Sequence, residues 1–313
     1  MPAEEPPLRT LRVRIAEAAR NAGKPQFVIE KDYAISYLLM GIVHVPELRE
    51  SLVFKGGTCL RKAYFAGYRF SEDLDYTSRR KWDADGLLNA LREAGGHMKD
   101  RLLDYGPFEV EVAPQLHRDP HPRGQLVFRV RVQFPWMGSP TCSLKIEIAV
   151  EEPLLNKPEQ RRLIHEYTGE ALDVSLLAYS LEEIAAEKLR AFLQARQHLR
   201  DRGWLRNRPR DLFDLWYLHQ QRDRMIDWHY VGRLLPEKAG AYGLSYIGLD
   251  DFLDGEVLDG IRKDWRGQLP SFVPQMPSFD ECIGGLRTIL QRIFEQPDRH
   301  QGIDRRIDAD SGD

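Results

Sequence analysis

The sequence predicts an α+β fold in which a sheet domain is followed by a mainly helical domain. Short segments between residues 51 and 150 have the alternation of strands, whereas helical periodicity dominates from about residue 175 onward. The length of 313 residues supports two domains, since single cores seldom grow past about 250 to 300 residues. We expect the sheet domain at 1–170 and the helical domain at 171–295. The remainder, 296–313, is charged and poor in apolar residues, which predicts a disordered tail.

The first half of the chain is predicted to form helices and strands of one sheet domain. The helical segments repeat apolar residues every three or four positions, and the strand segments alternate or form short apolar runs. The predicted helices lie at 9–22, 27–43, 58–66 and 83–101, and the predicted strands lie at 51–55, 73–77, 107–113, 125–134 and 142–150.

The second half begins with a well-marked helix. Ser180 is suited to cap its N-terminus, with Glu183 three residues on. Lys188 falls inside the apolar stripe of this helix, and an inward-facing ammonium group needs an anionic partner. A triphosphate would serve, as would a structural carboxylate or extension of the stem past the core. Gly- and Pro-containing stretches near 236–244 and 267–278 predict breaks between later helices.

A second helix is predicted to start at Pro209, which suits a first helical turn. Asp211 and Asp214 then share one face with apolar residues that follow. Both carboxylates could face inward. Alternatively, Asp211 in particular could merely complement the helix dipole.

A glycine pair ends the first predicted strand, in Lys55-Gly56-Gly57-Thr58. It offers a phosphate group a side-chain-free approach to backbone N–H groups. A paired-Asp strand follows it, and that combination suits a nucleotidyl transferase.

Asp73 and Asp75 share one face of their strand, with Cα atoms about 6 to 7 Å apart. They could hold one Mg²⁺ or bracket a pair of ions, with nucleotide phosphates completing the coordination. Asp is depleted in strands, so its occurrence twice favours a function. Glu147, on the polar face of another strand, is the candidate third carboxylate, as a metal ligand or a general base. A Glu on a solvated strand face is the alternative.

These segments together resemble the AbiEii-type nucleotidyltransferase toxins of type IV toxin–antitoxin and abortive-infection systems. The order and spacing of the motifs make the resemblance specific, although each motif alone is weak. The matching residues are Glu30-Lys31-Asp32-Tyr33, Lys55-Gly56-Gly57-Thr58 with Leu60, Arg69-Phe70-Ser71, Asp73-Leu74-Asp75, Lys145-Ile146-Glu147-Ile148, Glu187-Lys188-Leu189, and Arg210-Asp211 with Asp214-Leu215.

The resemblance implies a polymerase β-like nucleotidyltransferase sheet domain and a set of site residues. Mg²⁺, for which Mn²⁺ could substitute, would be held by Asp73, Asp75 and Glu147, although related enzymes usually have Asp at the third position. Lys188 would contact the triphosphate, and Asp211 would be a further essential acid. The nucleotide-binding residues would be Lys55, Gly56, Gly57, Thr58, Ser71 and Lys188.

The resemblance also implies the reaction and the partners. The protein would move a nucleoside monophosphate from an NTP to an RNA 3′ end, notably that of tRNA, and so block aminoacylation. A cognate AbiEi-type antitoxin would be its protein partner. Two other functions keep the same site. The acceptor could be a protein hydroxyl, or the chain could be an inactive nucleotide-binding partner of an antitoxin.

Basic clusters are candidates for the RNA footprint, because phosphate contacts set affinity without reading sequence. Trp204 among them could stack an unpaired base. A solvated linker or a strand end would also explain them. The candidate residues are Arg79, Arg80, Arg200, Arg202, Trp204, Arg206 and Arg208.

Composition excludes several other classes. The net charge of -3 argues against indiscriminate nucleic-acid binding, and no apolar run approaches the ~20 residues that cross a bilayer. We therefore expect a cytoplasmic protein without a membrane segment. The three cysteines lack metal-type spacing, which predicts reduced thiols.

Overall fold

The computed structural model describes residues 9–115, 124–203, 207–273 and 275–295. It confirms the α+β prediction. The strands are β1 (Leu52–Lys55), β2 (Asp73–Ser78), β3 (Glu109–Pro114), β4 (Leu126–Gln133), β5 (Cys142–Ala149), β6 (Glu159–Arg162) and β7 (Ser175–Ala178). The α-helices are α1 (Leu11–Ala22), α2 (Gln26–His44), α3 (Pro46–Ser51), α4 (Gly56–Cys59), α5 (Ala84–Leu102), α6 (Leu181–Arg202), α7 (Pro209–Arg222), α8 (Trp228–Gly240), α9 (Gly255–Gln268) and α10 (Phe279–Phe294).

The seven strands form one mixed sheet in the order β3-β4-β5-β2-β1-β7-β6. Strand β2 lies near its centre, antiparallel to β1 and parallel to β5. The register places Asp75 opposite Lys55 on one side and Glu147 on the other, and it places Asp73 opposite Lys145. Residues far apart in the chain therefore meet on one face of the sheet.

The other face of the sheet is apolar and buried. Leu74 and Tyr76 of β2 are buried there, together with Ile146 and Ile148 of β5. Helices α2 and α5 pack against each other, α2 contacts β5, and α5 contacts β3 and β4. Burial of this apolar face leaves the alternate residues of β2 and β5 on the opposite face.

Three elements were absent from the predictions. Helix α3 has only six residues, and β6 consists of Glu159-Gln160-Arg161-Arg162, a polar edge strand without an apolar pattern. Strand β7 pairs with β1 in parallel and lies beyond residue 170, so the sheet extends past the predicted domain boundary. The helix predicted at 58–66 begins at Gly56 and ends in a π-helical turn over Leu60–Tyr64.

The helices that follow β7 form a bundle in which α6 packs against α7 and α8, and α10 packs against the same two helices. Ser180 caps α6 as predicted, since its hydroxyl accepts a hydrogen bond from the backbone N–H of Glu183 at 3.2 Å. The buried Glu183 carboxylate pairs with Lys238 of α8 at 2.7 Å and accepts the N–H of Leu155 at 2.9 Å. This contact ties the bundle to the segment that follows β5.

None of the helices in the described ranges combines the length and the apolar character that a membrane span requires. The predicted tail at 296–313 lies outside the described residues.

Candidate active site

A cleft of about 720 Å³ lies between the polar face of the sheet and the helices α6 and α7. The end of β1, the start of β2 and the middle of β5 form one wall, and α6 with the start of α7 forms the other. The cleft brings together most of the residues that the sequence predicted for the site. These are Lys55, Gly56, Gly57, Ser71, Asp73, Asp75, Glu147, Lys188, Arg208 and Asp211.

Asp73 and Asp75 point from β2 into this cleft. Burial, the neighbouring Glu147 and Asp73 together raise the pKa of Asp75 to about 7. Burial also raises the pKa of Asp73, although the nearby Lys145 opposes the rise. Within the described ranges, neither Asp carboxylate accepts a hydrogen bond or forms an ion pair. Two crowded, partly buried carboxylates without partners form an arrangement that a divalent cation would stabilise.

Glu147 lies beside Asp75 but has a partner of its own, because its Oε1 is 2.7 Å from the Nζ of Lys145. The part of the chain that the structure describes contains no group of three His, Cys, Asp or Glu side chains placed to hold a metal ion. The assignment of Asp73, Asp75 and Glu147 as ligands of one metal ion stays a prediction. The structure offers two carboxylates, with Glu147 held next to them by Lys145.

The glycine pair follows β1 directly and is required by the close approach of two side chains. Gly56 has φ +76°, and a Cβ there would lie 2.5 Å from Oδ2 of Asp75. A Cβ on Gly57 would overlap the guanidinium group of Arg69. Glycine thus lets the chain turn against Asp75 and Arg69 at once.

The side chain of Thr58 is hydrogen-bonded inside the protein. Its hydroxyl is buried and donates to the carbonyl oxygen of Asp73, and the residue does not line the cleft. This bond fixes the start of β2 against α4. Ser71, in contrast, lines the cleft.

Asp214 is the anchor of the cationic wall. Its carboxylate accepts hydrogen bonds from Nη2 of Arg69 at 2.6 Å and from the hydroxyl of Tyr68 at 2.5 Å, and Nζ of Lys188 lies 2.5 Å away. Burial by itself would raise the pKa of Asp214, but Arg69 and Lys188 outweigh it and hold the pKa at about 2. Lys188 also contacts Asp211 at 3.0 Å. Its ammonium group therefore has the structural carboxylates that the sequence analysis considered as alternatives to a triphosphate.

Lys55 is also paired. Its Nζ contacts the carboxylate of Glu152 and lies 3.5 Å from Oε1 of Glu187. Burial would lower the pKa of Lys55, but Glu187 and Glu152 raise it well above its usual value. The ammonium group of Lys55, which precedes the glycine pair, thus faces the carboxylates of Glu152 and Glu187 at the side of the cleft.

The candidate RNA-binding residues are spread over the molecule. Arg208 lines the cleft. Arg79 and Arg80 are exposed beyond the end of β2 opposite to Asp73, and Arg80 stacks on the ring of Trp82 at 3.8 Å. These two arginines do not line the cleft, because the six-residue strand separates them from the carboxylates.

The remaining candidates lie at or beyond the end of α6. Arg200 and Arg202 are exposed and do not line the cleft. Trp204 and Arg206 lie outside the described residues.

Six charged residues line the cleft without a role predicted from the sequence. Arg69, Lys145, Glu187 and Arg210 lie inside the matching motifs, so motif position was the available signal. Arg190 follows one of these motifs by one residue, and Glu152 lies in a loop with no pattern around it.

A glycine turn, two free carboxylates and a cationic wall in one cleft define a nucleotidyltransferase type of site. The family model described as nucleotidyl transferase AbiEii toxin, type IV toxin–antitoxin system, matches residues 38–285, and the chain belongs to this family. Curated protein sequences give no match.

Among solved structures, the chain is similar to MenT4, a nucleotidyltransferase toxin from Mycobacterium tuberculosis. The two share 22% sequence identity over 90% of each chain, with a TM-score of 0.63. At this identity the likeness shows a common fold.

Proposed function

We propose that this nucleotidyltransferase toxin transfers a nucleoside monophosphate from an NTP to the 3′ end of RNA, with the tRNA acceptor end as its target. Modification of that end would block aminoacylation and therefore translation. Membership of a type IV toxin family supports an NTP substrate and an antitoxin partner, for which we propose an AbiEi-type protein. The RNA target and the metal requirement are parts of our proposal.

The observation that carries the proposal is the pair of free carboxylates facing the glycine turn and the cationic wall. Asp73 and Asp75 lie within one cavity with Gly56 and Gly57, and Lys188 and Arg208 line the opposite side. Negative oxygens on one wall and cations on the other suit a metal-bound polyphosphate between them.

Mg²⁺, for which Mn²⁺ could substitute, fits the Asp73–Asp75 pair and would neutralise phosphate charge and acidify the attacking hydroxyl. The chain's own residues supply the rest. The backbone N–H group of Gly57, which lines the cleft, would orient the triphosphate. Glu147, held beside Asp75 by Lys145, is our candidate acceptor of the hydroxyl proton.

The reaction we propose is an in-line displacement. The RNA 3′-hydroxyl oxygen would bond to the α-phosphorus as the bond to the pyrophosphate oxygen breaks. Positioning and charge neutralisation would supply most of the rate enhancement. Arg208 is the basic candidate best placed to meet the acceptor strand, because it lines the cleft.

Incubation of the protein with each labelled NTP, Mg²⁺ and total tRNA tests the proposal. We expect label in RNA that is removed by RNase and survives protease. Label removed only by protease would instead indicate a protein acceptor. Binding of NTP without any transfer would indicate the inactive partner. Sequencing of RNA 3′ ends would identify the tRNA and the added nucleotide.

A further inference from the structure

We propose that Arg210 is the residue of the cationic wall that binds the polyphosphate of the incoming nucleoside triphosphate. The inference deepens the proposed function and rests on it. It starts from a comparison of Arg210 with four other cations that line the cleft. Lys188, Lys55 and Lys145 each face at least one carboxylate oxygen at 3.0 Å or closer.

Arg69 donates a hydrogen bond from each of its three nitrogens. Its Nε and Nη2 donate to the Asp214 carboxylate, and its Nη1 donates to the carbonyl oxygen of Phe70 at 3.1 Å. These cations are therefore committed to the protein. A phosphate that approaches one of these groups competes with an acceptor of the protein that is already in contact with it.

Arg210 differs from these four cations. It lines the cleft at the start of α7, yet its guanidinium group donates no hydrogen bond to any described residue. The nearest carboxylate oxygen belongs to Glu72, 3.9 Å away, and Glu72 already accepts a hydrogen bond from Lys31 at 2.6 Å. Within that part of the chain, Arg210 has this one long ion pair and no hydrogen bond, so its N–H donors lie at the wall of the cavity without a close protein partner.

The packing of Arg210 holds this fork in a fixed orientation. Its guanidinium carbon lies 4.1 Å from the centroid of the Phe272 ring, so one face of the fork is covered. Burial lowers the pKa of Arg210, and the neighbouring charge of Arg69 lowers it further. A guanidinium group in such surroundings is under-compensated and favours an incoming anion.

The place of Arg210 indicates which anion. Asp73 is near enough to interact electrostatically with Arg210, and both line the cavity. A polyphosphate beside Asp73 would lie within reach of the fork. Guanidinium groups bind phosphate oxygens in a bidentate manner, which a lysine cannot reproduce.

The test uses Arg210→Met, which removes the charge and keeps an apolar side chain against Phe272. Arg210→Lys keeps the charge and loses the fork. Arg262→Met is the matched control, because Arg262 also stacks on a phenylalanine ring, Phe279 at 4.3 Å, outside the cleft. Circular dichroism and thermal unfolding would establish that each variant folds.

The readout is the affinity for a non-hydrolysable α,β-methylene NTP with Mg²⁺, measured by calorimetry, together with KM and kcat for transfer. We expect Arg210→Met to bind about 10- to 100-fold more weakly, with a raised KM. Arg210→Lys should fall between it and the wild type, and Arg262→Met should match the wild type.

The outcomes separate this inference from the proposed function. Equal affinities of the wild type and Arg210→Met would overturn the role of Arg210 and leave the proposed function standing. A wild-type protein that binds no analogue would overturn the proposed function, and this inference with it. If Arg210→Met fails to fold, Arg210→Lys decides, since unchanged affinity and KM in that variant would refute bidentate phosphate binding.

Discussion

Replacement of Gly56 by alanine should separate backbone strain from the placement of a catalytic carboxylate. Gly56 has φ +76°, and an alanine in that left-handed region costs about 1 to 2 kcal/mol. A Cβ would also lie 2.5 Å from Oδ2 of Asp75, whereas ordinary contacts begin at 3.4 Å. The Asp75 carboxylate must therefore move by about 0.9 Å, and a displacement of about 1 Å can cost about 100-fold in rate.

Gly23 provides a matched control, because it has φ +61° and a Cβ there would meet no described atom within 4 Å. Gly23→Ala should lose a similar free energy of unfolding and keep full transfer activity. Gly56→Ala should lose the same stability and about 100-fold in kcat. Urea unfolding and transfer of label from NTP to tRNA measure the two quantities. Equal activity of the two variants would refute the reasoning that Asp75 is held by this turn.

Three further predictions concern the groups around the cleft. Lys188→Met should lower the free energy of unfolding, measured in urea, by about 3 kcal/mol, because it removes one cation from the buried Asp214. Lys263→Met, at an exposed position, is the control. Equal stability of the two variants would contradict a stabilising ion pair between Lys188 and Asp214. The pKa of Asp214 is about 2 in the folded protein and about 3.9 when unfolded, so the ionised group stabilises the fold above about pH 4. We expect the free energy of unfolding to fall by about 2 kcal/mol as the pH falls from about 4 toward 2. Asp214→Asn should lose less stability over the same pH range. Parallel curves of unfolding free energy against pH for the two proteins would contradict this role of Asp214. Thr58→Val should lower the free energy of unfolding by about 1 kcal/mol and leave most of the transfer activity, because the hydroxyl donates to the backbone carbonyl of Asp73. Complete loss of transfer in a folded variant would show that the hydroxyl contacts the substrate.

The elements that carry strong periodicity could be predicted from the sequence. The alternation in β5 correctly placed Ile146 and Ile148 in the core and Glu147 on the opposite face. Ser180 signalled the start of α6 through its capping chemistry. Strand β6 is polar and strand β7 is only four residues long, so neither shows the alternation that marks β5, and their places in the sheet depend on distant partners.

The candidate site was predictable in its residue types and only partly in its contacts. Asp73 and Asp75 are two residues apart on a strand, so their side chains must lie on the same face of the sheet. The partners of Lys188 and Lys55 depend on which helices and loops close over the sheet, and local sequence does not encode that. The pairing of Glu147 with Lys145 follows from side-chain orientation on one strand face, which the alternation allowed but did not require.

The exposed arginines show the same limit. A basic run in the sequence predicts a charged surface but not its distance from a cavity. Arg208 reaches the cleft because α7 begins there, whereas Arg200 lies on the exposed end of α6. Distance from the carboxylates is decided by how the helices pack.

The most direct test of the central claim is transfer of label from NTP to tRNA by Asp73→Ala and Asp75→Ala, with the exposed Asp85→Ala as the control. If the two carboxylates of the cleft are the catalytic centre, both variants lose transfer while remaining folded, and the control keeps the wild-type rate. Full transfer by either Asp73→Ala or Asp75→Ala would contradict this account of the site.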